Sequence, residues 1–143
     1  YIVLLQVTSP LRECTDLEMI CQGFEDNKEA DSVVSVIKHT EPHPEKMLVE
    51  RHGYLKPYLN SKQSSPRQTL PEVFALNGSF YLSPVERIIR KNTLWGEYPM
   101  PYVMPIEKSV NIDREIDLIL LEALTKWGYV KPEIYTSLNQ KEK

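Results

Sequence analysis

The decisive stretch is residues 1–37, YIVLLQVTSP LRECTDLEMI CQGFEDNKEA DSVVSVI. Tyr1–Leu5 is a short continuous apolar run, the pattern of a buried parallel strand. Val7–Arg12 is a loop broken by Pro10. Thr15 and Glu18 have capping-box spacing. Leu17, Ile20, Cys21 and Phe24 follow at i, i+3, i+4 and i+7, one apolar stripe of a helix that Gly23 and the polar run Glu25–Glu29 are expected to end. Ser32–Ile37 is again β-branched and short. Strand, loop, helix and strand in this order predict a βαβ unit, and hence an α/β fold with parallel strands. A core strand at residue 1, with no Met and no polar lead-in, leads us to expect sequence upstream of it.

Working outward, residues 40–66 change character. Pro42, Pro44, Pro57 and Pro66 cut them into short extended pieces. Met47–Glu50 and Tyr54–Lys56 flank Arg51-His52-Gly53 as a plausible hairpin, with a polar connector at 60–66. A lone hairpin is marginal and needs a surface to pack on. Val73–Leu76 and Ser79–Leu82 read as a strand pair or one bent strand around Asn77-Gly78. Ser83-Pro84-Val85-Glu86 has the pattern of a capped helix start, and Tyr102–Met104 that of a short strand. The last helix carries Ile116, Ile119, Leu120, Ala123, Leu124 and Trp127 on one face, with Gly128 at its C′ position. The resulting division is an α/β core of residues 1–39 and 67–136, an insert at 40–66 and a polar tail at 137–143.

The balance of 17 Lys and Arg against 20 Asp and Glu over 143 residues gives −3. That net charge speaks against general binding to nucleic acid or anionic membrane. No apolar run approaches the ~20 residues that span a bilayer. Cys14 and Cys21 form neither a disulfide framework nor a zinc motif, which fits a reducing, cytoplasmic setting. There is no P-loop and no G-x-G-x-x-G, and five glycines leave little for a phosphate-cradling loop. His39, His43 and His52 lack metal-ligand spacing and read as surface or packing residues.

Three segments can carry chemistry. Gln6 to Arg12 follows a core strand, at the end of the sheet where α/β folds bind ligands. Gln6 can donate and accept there, while Thr8 and Ser9 can equally well satisfy backbone groups. In Ser65–Pro71, Arg67 offers a planar fork suited to a carboxylate or phosphate, or is simply solvated. In Ser109–Asp117, alternation puts Asn111 and Asp113 on one side of an extended segment. Two such oxygens suit Mg²⁺, and Asp113 is equally well placed as the N-cap of the last helix.

Taken in order, Leu4-Leu5-Gln6-x-Thr8-Ser9-Pro10-Leu11-Arg12, Ala30–Val36, Arg67-Gln68, Asn77-Gly78-Ser79-Phe80-Tyr81 and Asn111-Ile112-Asp113-x-x-x-Asp117 resemble the CMP-N-acylneuraminate cytidylyltransferases. The resemblance reaches to about Trp127. It implies a Rossmann-like nucleotide-sugar transferase fold and a homodimer through residues 40–66. It also implies a cytoplasmic enzyme of surface polysaccharide biosynthesis that joins CTP to a nine-carbon 2-keto sugar acid with Mg²⁺. The sugar's anomeric hydroxyl attacks the α-phosphorus in line, and pyrophosphate leaves. By the same resemblance, Gln6, Arg67, Asn77 and Tyr81 surround the substrates, with Arg67 as carboxylate clamp. Lys46 reaches the partner's site, and Asp113 with Asn111 holds the metal, Asp113 being the catalytic residue. Asn111 stands where the family's motif has its first Asp. The family's glycine- and lysine-rich phosphate loop has no counterpart, so the 143-residue chain by itself is expected to be inactive. The alternative is a non-catalytic remnant that dimerises or binds a sugar acid. Discrimination among sialic, pseudaminic and legionaminic acids belongs to pocket shape rather than to these motifs.

Overall fold

The computed structural model describes residues 1–59 and 66–130, with the backbone alone at Arg67. The expected connector at 60–65 and the tail at 137–143 lie outside the described residues. The chain is mixed α/β, with three α-helices and a mixed sheet among the described residues. Two units separate, residues 1–37 with 76–143, and residues 38–75.

The first unit holds the sheet β1 (Ile2–Leu4), β5 (Val73–Ser83), β2 (Ser32–His39), β6 (Pro99–Val103), in that spatial order. The two strands of the expected βαβ unit lie in one sheet with another strand inserted between them. β1 and β2 are not neighbours, because β5 lies between them, and β1 pairs with β5 antiparallel, Val3 opposite Leu82. The reason is burial. β5 is buried without interruption from Asn77 to Ser83, and a strand covered on both faces takes a central position. β1 is instead an edge among the described residues, with Ile2, Leu4 and Leu5 exposed. β2 and β6 are parallel, Val34 opposite Pro101, and β6 is a strand edge that tolerates Pro99 and Pro101.

Helix α1 (Cys14–Asp26) covers one face of this sheet. Ile20 is buried with Val33, Phe80, Leu82 and Met104, and Leu17, Cys21 and Phe24 pack around them, as the stripe predicts. The cap differs from the expected Thr15/Glu18 pair. Asp16 accepts the Glu13 N–H at 2.8 Å, so the capping pair lies two residues earlier. Gly23 does not end α1 but lies inside it, against the Met100 side chain. On the other face of the sheet, Val34, Val36 and Tyr81 are buried together beside Leu94.

α2 (Val85–Lys91) begins after Pro84, since β5 carries through Ser83 and leaves that residue in the sheet rather than at a cap. α3 (Glu115–Lys126) ends as predicted. Gly128 has φ +75°, and Gly128 N–H to Thr125 and Tyr129 N–H to Leu124 close the last turn. Its inner side matches the predicted face at Ala123 and Leu124 but not elsewhere. Leu121 and Leu124 pack on Leu11, Val110 and Val130, whereas Ile116, Ile119, Leu120 and Trp127 are exposed. The apolar positions of α3 nearly encircle it, so periodicity alone could not choose among them.

The second unit contains the hairpin β3 (Leu48–Arg51) and β4 (Tyr54–Pro57), antiparallel with Arg51 opposite Tyr54. His52 and Gly53, both at positive φ, make its turn. Within this unit His43 is fixed at both ring nitrogens, accepting the Glu45 N–H at Nδ1 (3.2 Å) and donating from Nε2 to the Pro71 carbonyl (3.1 Å).

Candidate functional site

The segment after β1 is locked to the middle of β5. Arg12 donates its guanidinium to the carbonyls of Gln6 and Ser79, and Ser9 N–H returns to Gln6 O at 3.2 Å. Burial lowers the Arg12 pKa, though not enough to discharge a guanidinium. The Gln6 side chain lies over Gly78, where a Cβ would overlap its Oε1. Gly78 has φ +76°, a conformation that glycine adopts freely. The Asn-Gly pair is therefore a bend within a continuous β5, and it brings Gln6 close to the strand.

Asn77 is buried and fully bonded. Its Nδ2 donates to Ser109 Oγ at 2.9 Å and contacts Met104 Sδ at 3.2 Å, and its Oδ1 accepts the Ser79 N–H at 3.2 Å. It thereby staples β5 to the segment that leads into α3. The buried hydroxyl of Ser9 lies 3.3 Å from both the Asn77 carbonyl and Asn111 Oδ1. Asn111 in turn donates from Nδ2 to Asp113 Oδ2 at 2.5 Å. Hydrogen bonds thus run from the Gln6 carbonyl through Ser9 to Asn77, Asn111 and Asp113, with the Gln6 side chain lying over Gly78. Ser9 is their joint, and a serine beside a proline gave no signal beyond loop chemistry.

Asp113 is exposed and does not cap α3. Asp117, at the third helical position, accepts the N–H groups of Asp113 (3.2 Å) and Arg114 (2.8 Å). The hydrogen bond from Arg114, together with those backbone N–H groups, holds the Asp117 carboxyl below its usual range. This frees the Asp113 carboxylate for another partner. As a Mg²⁺ donor set, Asp113 supplies one charge, and the Asn111 amide supplies an oxygen once it is turned over about its terminal bond. That fits an ion that takes one or two protein oxygens and completes its shell from phosphates and water. Among the described residues, no group of three or more His, Cys, Asp or Glu is placed to hold a metal by itself.

Tyr81, four residues along β5 from Asn77, is buried on the face it shares with Val34 and Val36, and burial raises its pKa. Its ring stacks on Trp95 with centroids 5.7 Å apart. Lys46 belongs to the second unit, at a cavity of about 490 Å³ lined also by Thr40, Glu41, Pro42, His43 and Leu70. The Arg67 side chain lies outside what the structure describes. Gln6, Asn77, Asn111 and Asp113 are thus brought together, whereas Tyr81 lies further along β5 among Val34, Val36 and Trp95.

With this geometry in view, relatedness can be weighed. The chain is 29% identical over 118 residues to N-acylneuraminate cytidylyltransferases of Streptococcus agalactiae serotypes V and III, covering 82% of the chain and 28% of those proteins. The chain is similar to N-acylneuraminate cytidylyltransferases. A post-translational flagellin modification protein B of Campylobacter coli is 21% identical over 122 residues, covering 85% of the chain and 51% of that protein. The chain thus spans little more than a quarter of the cytidylyltransferases it matches. No family model matches it. No described helix is long and apolar enough to cross a membrane.

Proposed function

We propose that the chain is the sugar-acid-binding and dimerisation portion of a Rossmann-like cytidylyltransferase that joins CTP to a nine-carbon 2-keto sugar acid. The observation that carries the reading is the polar chain from Gln6 to Asp113, formed by the residues that the resemblance assigns to substrate and metal. Gln6 supplies an amide to sugar hydroxyls, Tyr81 walls the sugar's inner side, and Arg67 takes the carboxylate. Asp113, with the Asn111 oxygen turned toward it, would hold Mg²⁺, which neutralises triphosphate charge when bound. The sugar hydroxyl forms the new P–O bond as the bond to the β-phosphate oxygen breaks, so the protein's task is positioning and charge neutralisation. Pairing through the hairpin of residues 40–66 brings Lys46 to the partner's site. A cytoplasmic nucleotide-sugar step fits this chemistry.

Titration calorimetry of the chain with N-acetylneuraminate and with CTP tests the reading. The sugar acid should bind and the nucleotide should bind far more weakly, because the chain lacks a phosphate loop. Tight CTP binding with no response to the sugar acid would reverse the assignment. Pyrophosphate release from the 143-residue chain with CTP, Mg²⁺ and N-acetylneuraminate should not rise above blank.

A further inference from the structure

The loop between α2 and β6, residues 92–98, is fastened at one point. Asp31 Oδ2 accepts the N–H groups of Glu97 (2.8 Å) and Tyr98 (3.2 Å) and the Arg87 Nη2 (2.9 Å). Its Oδ1 accepts from the Ser32 hydroxyl at 2.9 Å, and Ser32 Oγ accepts the Gly96 N–H at 3.0 Å. Asp31 N–H closes the set on the Tyr98 carbonyl at 3.2 Å. Desolvation works to raise the Asp31 pKa, but Ser32, the two backbone N–H groups and Arg87 outweigh it and hold the carboxyl below its usual range. Gly96 lies so close that a Cβ there would overlap the carboxylate. The three residues after Trp95 therefore cannot shift without breaking the Gly96 bond to Ser32 or the charge-assisted bonds of Glu97 and Tyr98 to Asp31.

Trp95 is the residue this anchor controls. Its ring lies nearly parallel to Tyr81, at 21°, with one face covered by that ring and 41% of the residue exposed. Tyr81 itself is 8% exposed, so the position of Trp95 decides how much of the tyrosine a ligand meets.

We infer that Asp31 is a positioning residue for the Tyr81 side of the site: fastened by Arg87, it holds Gly96–Tyr98 so that Trp95 stays stacked on Tyr81. The inference rests on the reading of Tyr81 as a substrate-side residue. Asp31 touches no substrate group and acts only through the loop.

The test uses the chain with Trp127→Phe, an exposed site, so that Trp95 is the sole remaining tryptophan of the two. Asp31→Ala, Gly96→Ala and the double variant are compared by Trp95 emission, acrylamide quenching and N-acetylneuraminate affinity, with circular dichroism as a check on folding. Each single variant should red-shift and expose Trp95. Each should also weaken sugar-acid binding about three- to tenfold, the range of one ordered aromatic contact. In the double variant, Gly96→Ala should add almost nothing, because loss of the carboxylate makes room for the Cβ. If Asp31→Ala fails to fold, Gly96→Ala alone decides, since it displaces the loop with the carboxylate intact.

An unchanged Trp95 signal in a folded Gly96→Ala, or additive effects in the double variant, would overturn the anchor. A shifted signal with unaltered N-acetylneuraminate affinity would reduce Asp31 to a loop fastener and overturn the positioning role. Failure of the Trp127→Phe parent to bind N-acetylneuraminic, pseudaminic or legionaminic acid, with the fluorescence cycle as expected, would sink the sugar-acid reading and leave the anchor standing.

Discussion

Asn111 donates its side-chain N–H to the carboxylate of Asp113, two residues on, so a hydrogen bond joins the pair. The Asn111 oxygen meanwhile faces the Ser9 hydroxyl. Replacing that amide by a carboxylate removes the donor and sets two like charges side by side.

Asn111→Asp should therefore lower the melting temperature of the chain in the absence of divalent cations and recover it on addition of Mg²⁺, which bridges the two carboxylates. Wild type should show a smaller Mg²⁺ response. In the complete enzyme, Asp113→Ala should lower kcat by roughly 10²-fold, the scale of losing one preorganised electrostatic contact, and excess Mg²⁺ should not restore it. Because Asp117 and not Asp113 caps α3, the same variant should melt within a degree or two of wild type, as surface substitutions usually cost under about 0.5 kcal/mol. Near-normal turnover of Asp113→Ala would remove Asp113 from the metal site.

The cap itself makes a pH prediction. Asp117 has a folded pKa below that of the unfolded chain, so its stabilising effect is complete above the ordinary carboxylate value, ~3.9. It fades as pH falls through the lower folded value. Asp31 is depressed in the same sense. Melting temperatures taken from pH 7 to pH 3 should thus hold steady and then drop below about pH 4, with Asp117→Asn showing a shallower drop than wild type. Parallel curves for the two proteins would show that Asp117 contributes nothing at α3.

Much of the fold and part of the site could be read from the residues. The α1 stripe, the hairpin around His52-Gly53 and the C-terminal turn at Gly128 follow from local periodicity and from backbone positions that glycine accepts. Caps and faces were less legible. Asp16, Glu13 and Asp117 compete for helix starts with Thr15, Ser83 and Asp113, and a shift of one or two residues decides which carboxylate reaches an N–H. The packed side of α3 and the neighbour of β1 were hidden for another reason. Apolar runs mark what is buried but not what buries it, and β5 pairs with β1 from far along the chain, Val3 opposite Leu82. In the site, Gln6, Asn77, Asn111 and Asp113 stood out by type, whereas Ser9 and Asp31 join distant segments and have no local signature.

Gly78→Ala tests the bend that brings Gln6 to β5. The positive φ and the overlap with Gln6 Oε1 should together cost about 1–3 kcal/mol, read by urea denaturation. Adding Gln6→Ala should relieve the overlap and return part of that loss, leaving the backbone strain. A neutral Gly78→Ala would mean that the bend is not required.

The hairpin exposes Leu48, Tyr54 (74%) and Leu55 (68%) in the single chain, an apolar surface without a cover among the described residues of its unit. Sedimentation of the chain at tens of micromolar, a range set by ordinary interface affinities, should give a dimer. Tyr54→Ser with Leu55→Ser should give a folded monomer. A wild-type monomer at that concentration would remove the hairpin as a dimer interface.

The most direct measurement is product formation by the protein expressed from its whole reading frame, supplied with CTP, Mg²⁺ and one of the nine-carbon 2-keto acids: N-acetylneuraminic, pseudaminic or legionaminic acid. The account predicts pyrophosphate and a CMP-sugar in equal amounts with at least one acid, and none when CTP or the acid is omitted. Absence of both products with all three acids, from a folded protein that still binds one of them, would contradict it and leave a sugar-acid-binding remnant.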